Sequence, residues 1–194
     1  MNTEPNYTLP PAVRRIANAF GLIGWLSFWS QVVLATIASL VLLFGIANLS
    51  SGSGGVSNPG TGPGLSLTAL GLIAVYLSTY WAFSYTRLAR RLRSRDGARR
   101  PSPKEAMQAL RLGIIISMVG MLVTLFGSNA LVGSLLAKAL IQPQGAAVFV
   151  PGGAMGQYVR PFDIFVVQGN TIILLAHFIF LAATLWLLRT LNRA

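Results

Sequence analysis

The side chains able to do chemistry in this chain are few enough to name. Its acids are Glu4, Asp96, Glu105 and Asp163, its one histidine is His177, and it contains no cysteine. Thiolate nucleophiles, disulfides and thiolate metal sites are therefore excluded. The chain has no phosphate-cradling Gly-x-x-x-x-Gly-Lys run, no His-Glu-x-x-His pair and no dinucleotide fingerprint. A Ser/His/acid set would need its three members at one depth, and the scattered acids do not supply one. The expectation is a protein that is not an enzyme and holds no cofactor.

What remains is a set of polar residues inside long apolar runs, where each is costly to bury. The candidates are Gln31, Asn129, Gln168, Asn170 and His177, with Asp163 at the edge of the last run. His177 follows Asn170 by seven residues, two helical turns, so both face one way and point into a helix bundle. As a metal ligand His177 lacks company, because transition metals take several His, Cys or carboxylate ligands. Two readings stay open for these residues. One is interhelical hydrogen bonding, worth about 0.6 kcal/mol per contact. The other is a hydrophilic path that moves an ion or a proton.

The elements that carry them are set by charge and length. From Ile16 to Thr86 there are 71 residues without a charged side chain, and nine of the next 25 are Arg or Lys. A soluble domain of this size would need charge distributed throughout, yet charged residues make up only 10% of the chain. Four spans follow, at about 20–46, 65–85, 112–136 and 164–188, each near or above the ~20 residues that cross a bilayer as helix. Lipid offers no hydrogen bonds, so helix is the expected state. The run after Arg15 is also far too long for a signal h-region of about 7–15 residues, and it reads as a retained anchor. The fold class is an all-α membrane protein: four transmembrane helices in an antiparallel bundle. A tail (1–15) precedes a single membrane domain (16–194).

Thirteen Arg and Lys residues fall on the side of the termini and the 87–111 loop, against two, Lys138 and Arg160, on the other. Both termini and the basic loop are thus expected in the cytoplasm, and 47–64 and 137–163 are outer loops. The spacing Trp81, Tyr85, Leu88, Leu92 carries helix 2 beyond the membrane, and Ser102-Pro103-Lys104-Glu105 is a capping box that opens helix 3 near Pro103. Pro161 and Asp163 suit the first turn of helix 4. Gly113, Ser117, Gly120, Thr124, Gly127 and Ser128 make a small-residue face for close helix approach. Arg87, Arg90, Arg91, Arg93, Arg95, Arg99 and Arg100 are placed to meet anionic lipid headgroups or a protein partner, and the net charge of +11 is assigned to that role and not to nucleic acid. A homo-oligomer or membership of a larger membrane complex is expected.

From Ala17 onward the sequence resembles the plastid inner-envelope family known as the twenty-one-kilodalton Tic component or permease in chloroplasts, with its cyanobacterial relatives. The resemblance rests on Tyr85-Thr-Arg-Leu-Ala-Arg-Arg-Leu-Arg93, Leu110-Arg-Leu-Gly113, Gly127-Ser-Asn-Ala-Leu-Val-Gly133 and Ala137-Lys-Ala-Leu140. Asp163-Ile-Phe-Val-Val-Gln168, and His177 followed by Leu187-Leu-Arg189, complete it. It implies a transport-related membrane protein, with iron permeating through an oligomer as a substrate and not held as a cofactor. The family has also been tied to protein import, so a non-transporting accessory or assembly subunit of a membrane complex or translocon is the alternative. The sequence shows no plastid transit segment, and the expected source is a cyanobacterium, in its plasma or thylakoid membrane.

Overall fold

The computed structural model describes residues 10–50, 61–94, 101–141, 159 and 161–193. These form four helices: α1 (Pro11–Ser50), α2 (Thr61–Leu92), α3 (Pro103–Ile141) and α4 (Pro161–Asn192). Each is long and apolar enough to cross a membrane, and no strand occurs among the described residues. At ~1.5 Å per residue the helices are about 48–60 Å long, well beyond the ~30 Å hydrocarbon core, so each extends past it. α1 packs against α2 and α4, and α3 closes the ring by packing on the same two helices. α2 also touches α4 across the middle. Helix direction alternates, which places both termini and the α2–α3 connection at one end of the bundle, the basic end.

The sequence builds this bundle through a stripe of small and polar side chains. In α3 the buried positions are Ala106, Leu110, Gly113, Ser117, Gly120, Thr124, Gly127 and Leu131. α2 repeats the same alternation of four and three through Gly64, Thr68, Gly71, Val75, Ser78, Ala82, Tyr85 and Ala89, and α4 does so from Asp163 to Leu187. A sustained step of three and four is a 3.5-residue period, the pattern of a left-handed bundle. Between these positions the helices show Leu, Ile, Phe, Val and Trp outward, Leu22 and Phe44 among them. In water such a surface would collapse. In lipid it faces hydrocarbon, so helix association depends on close packing and hydrogen bonds along the inner stripe.

The ends follow the sequence signals. Glu105 N–H donates to Ser102 Oγ at 3.2 Å and Ser102 N–H to Glu105 Oε2 at 3.3 Å, so the capping box forms and α3 starts at Pro103. α2 continues past the apolar run to Leu92, and Trp81 Nε1–H donates to Ala109 O at 2.9 Å, tying that extension to α3. Phe20, Tyr85, Ala89, Ala106 and Leu110 share one buried cluster there. The sequence also offers Asp96-Gly97 as a stop for α2 and an unusually apolar loop stretch at 146–159; except for Val159 these lie outside the described residues.

Candidate functional site

Polar side chains meet on the inner stripe at four levels. At the end far from the termini, Lys138 Nζ donates to both carboxylate oxygens of Asp163, at 3.2 and 3.0 Å, with both side chains buried. Asp163 is in the first turn of α4 and Lys138 in the last turn of α3, so each charge also complements its own helix end.

Further inward, Thr68 Oγ1 donates to Asn170 Oδ1 at 2.9 Å while Asn170 Nδ2 donates to Thr124 O at 3.3 Å. One amide thus joins α2, α3 and α4. The approach is close because a Cβ at Gly127 would sit 3.1 Å from Thr68 Oγ1, and one at Gly71 would strike Thr124 Oγ1.

At the centre Gln31 Nε2 donates to Ala176 O at 2.8 Å and Ser78 Oγ donates to Gln31 Oε1 at 3.3 Å, linking α1, α2 and α4. His177 is fully buried, and its Nε2 lies 3.2 Å from Gly71 O. A carbonyl only accepts, so this contact holds the proton on Nε2. The imidazole rests against Gly120, where any Cβ would collide with it. Nearer the basic end, Tyr85 stacks on Phe180 with centroids 5.9 Å apart, and its hydroxyl lies 3.4 Å from Thr184 Oγ1 over Gly113.

The structure therefore gathers Gln31, Asn170, His177 and Asp163 on one inner seam and leaves Gln168 and Asn129 off it. Both of these are exposed on outer faces. Asn129 Nδ2 donates to its own helix at Leu125 O, 2.9 Å away. Sequence reasoning missed Lys138 as the partner of Asp163, and Thr68 and Thr184 as members of the seam. The signal for them was the three-four register, which continues through all three. Among the described residues no three His, Asp or Glu side chains converge as metal ligands.

The arginines divide by position. Arg87 lies over the Phe83 ring at 4.9 Å, and Arg93 Nη2 donates to Asn18 Oδ1 at 3.0 Å, while Arg90 and Arg91 are exposed in the last turn of α2. Arg95, Arg99 and Arg100 lie outside the described residues. Trp25, Phe28, Trp29 and Phe83 form a ring cluster with centroids 5.6–6.2 Å apart beside Arg87, as an interfacial aromatic belt does.

A bundle that shows hydrocarbon side chains outward and hydrogen-bonds most of its polar ones along an inner seam, Ser27 and Ser117 excepted, belongs to the integral membrane proteins, here with four spans. Comparison narrows the class. The chain belongs to the family described as protein of unknown function DUF3611, whose model matches residues 10–192. It is 35% identical over 183 residues to Protein TIC 21, chloroplastic, of Arabidopsis thaliana, an alignment covering 93% of this chain and 59% of that protein. The resemblance read from the motifs is thereby borne out, although the chain spans under two thirds of that relative's length. No solved structure matches it.

Proposed function

We infer that this protein is a non-conducting accessory or assembly subunit of a membrane complex, and that a single copy offers no route for an ion through its own bundle. One observation carries the reading: although Ser27 Oγ, Ser117 Oγ and His177 Nδ1 are buried without a hydrogen bond, Gln31, Ser78 and Nε2 of His177 are spent on helix carbonyls and on each other, with His177 wedged between Gly71 and Gly120. Groups committed in this way hold helices together and are poor hosts for a hydrated cation. No chemical transformation is part of the reading. The basic end faces the cytoplasm, following the usual bias of Arg and Lys. The likeness to a chloroplast protein fits a photosynthetic membrane, plasma or thylakoid, of a cyanobacterium. Affinity purification from native membrane tests the assignment: a stoichiometric protein partner is expected, and a chain recovered alone would overturn it.

A second reading, permeation of iron through an oligomer, is favoured by Asn129 and Gln168. Both are polar and exposed on faces that, Thr171 beside Gln168 excepted, show hydrocarbon side chains. Such groups are costly in lipid unless another copy covers them or water reaches them. Ferrous-ion flux into proteoliposomes, abolished by Asn129→Leu with Gln168→Leu and untouched by His177→Gln, would replace the first reading with this one.

A further inference from the structure

At the basic end, α1 and α4 part to leave a groove of about 1050 Å³ on the outside of the bundle. Its walls mirror each other. Arg15, Asn18 and Leu22 recur at helical spacing on α1, and Trp186 and Arg189 on α4 do so with Arg193 just past its end. The helices run antiparallel, so Arg193 stands level with Arg15, Arg189 with Asn18, and Trp186 with Leu22. Cation and amide therefore occupy the outer two turns, and apolar surface begins about 10 Å further in. Among the described residues none of the three arginines takes part in an ion pair. Leu22 is 69% exposed and Trp186 50%, so the lower wall is open to lipid. Pro11 and Ala12, in the first turn of α1, close the top, where the amide dipoles favour an anion. The carboxyl end of α4 opposes them, which leaves the arginines to carry the charge.

We propose that this groove seats the headgroup of one anionic glycerophospholipid, its phosphate held by Arg15, Arg189 and Arg193 and its acyl chains lying on Leu22 and Trp186. The forked guanidinium suits phosphate oxygens, and the polarity gradient of the walls repeats that of a lipid molecule. A free anion would use the upper half alone. The inference stands whether or not the bundle conducts, and it concerns residues away from the α2–α3 arginines.

The test is native mass spectrometry of the full chain in detergent, with phosphatidylglycerol or phosphatidylcholine added, beside thermal unfolding of the same samples. Wild type is expected to retain one phosphatidylglycerol in preference to phosphatidylcholine, and to be stabilised by it. Arg15→Gln/Arg189→Gln/Arg193→Gln should weaken retention about a hundredfold, from ~1 kcal/mol per basic side chain near an anionic surface and tenfold per ~1.4 kcal/mol. Arg14→Gln/Lys104→Gln/Arg111→Gln removes the same charge from outside the groove and should keep the lipid. Equal loss in the two variants, or equal retention of both lipids, would overturn the site. Displacement of phosphatidylglycerol by inorganic phosphate at matched concentration would overturn the lipid as its occupant. Arg189→Gln alone should give a partial loss, and no loss there counts against the proposal even if the triple variant is poorly folded.

Discussion

The imidazole Nε2 of His177 lies 3.2 Å from the carbonyl oxygen of Gly71, and the ring reaches that position because Gly120 on α3 presents no side chain. Three helices thus meet at one residue. A methyl group at Gly120 has nowhere to go, since the ring is on one side and Ala74 Cβ would be 3.0 Å away on the other. Gly120→Ala should lower stability by about 1–3 kcal/mol, the range for an overfilled core. Gly133, in the same helix, has open space around its missing Cβ. Gly133→Ala should be neutral or stabilising by up to about 1 kcal/mol. Thermal unfolding in detergent separates them; equal shifts would remove close packing as the reason for the glycines.

The Lys138–Asp163 pair should behave as a buried ion pair does. Asp163→Asn leaves the buried Lys138 ammonium without that carboxylate, and Lys138→Met withdraws the ammonium from Asp163, so each should cost about 3–5 kcal/mol. The double variant Lys138→Met/Asp163→Leu should be markedly less damaging than either single change. A double-mutant cycle checks this, and additive costs would show that the two residues act independently.

Asn170 and Asn129 are both asparagines in apolar spans, yet they should respond unequally. Asn170 links Thr68 to the Thr124 carbonyl, so Asn170→Leu removes two interhelical bonds of about 0.6 kcal/mol each and forces a larger apolar shape into the seam. Asn129 bonds only its own helix from an outer face. In the isolated protomer Asn129→Leu should shift stability by less than about 0.5 kcal/mol. Comparable losses from both changes would contradict the distinction between seam and surface.

Much of this architecture was legible because lipid simplifies the problem. The apolar spans within the uncharged run from Ile16 to Thr86 admit only helix, and Ser102 with Glu105 states where α3 begins. His177 and Asn170 were placed on one face by their spacing of seven, and both are buried. The same arithmetic was not applied to Gln168 and Asn129, which were singled out by polarity alone and fall on outer faces. Polarity says that burial in lipid is costly; only register says which way a side chain points. Lys138 was counted as a charge of the far side and not as a partner, because its approach to Asp163 depends on how α3 and α4 align, which neither helix states by itself.

The alternation of the four helices makes a prediction about sidedness that the absence of native cysteine renders clean. Ser94 follows the end of α2, and Arg193 follows the end of α4, both at the basic end. Residue 53 lies between α1 and α2, one full crossing away. In sealed right-side-out vesicles, Ser94→Cys and Arg193→Cys should resist an impermeant maleimide until the membrane is opened, whereas Ser53→Cys should react at once. Residues 53 and 94 are separated by α2 alone, so an odd number of crossings must divide them. If both reacted from one side, α2 would not cross the bilayer, and its exposed Leu70, Ile73 and Leu77 would need a protein partner instead of lipid to cover them. If the three residues divided as expected but with the sides exchanged, the bundle would stand with its arginines outward, against the bias that anionic inner leaflets and the membrane potential impose on Arg and Lys.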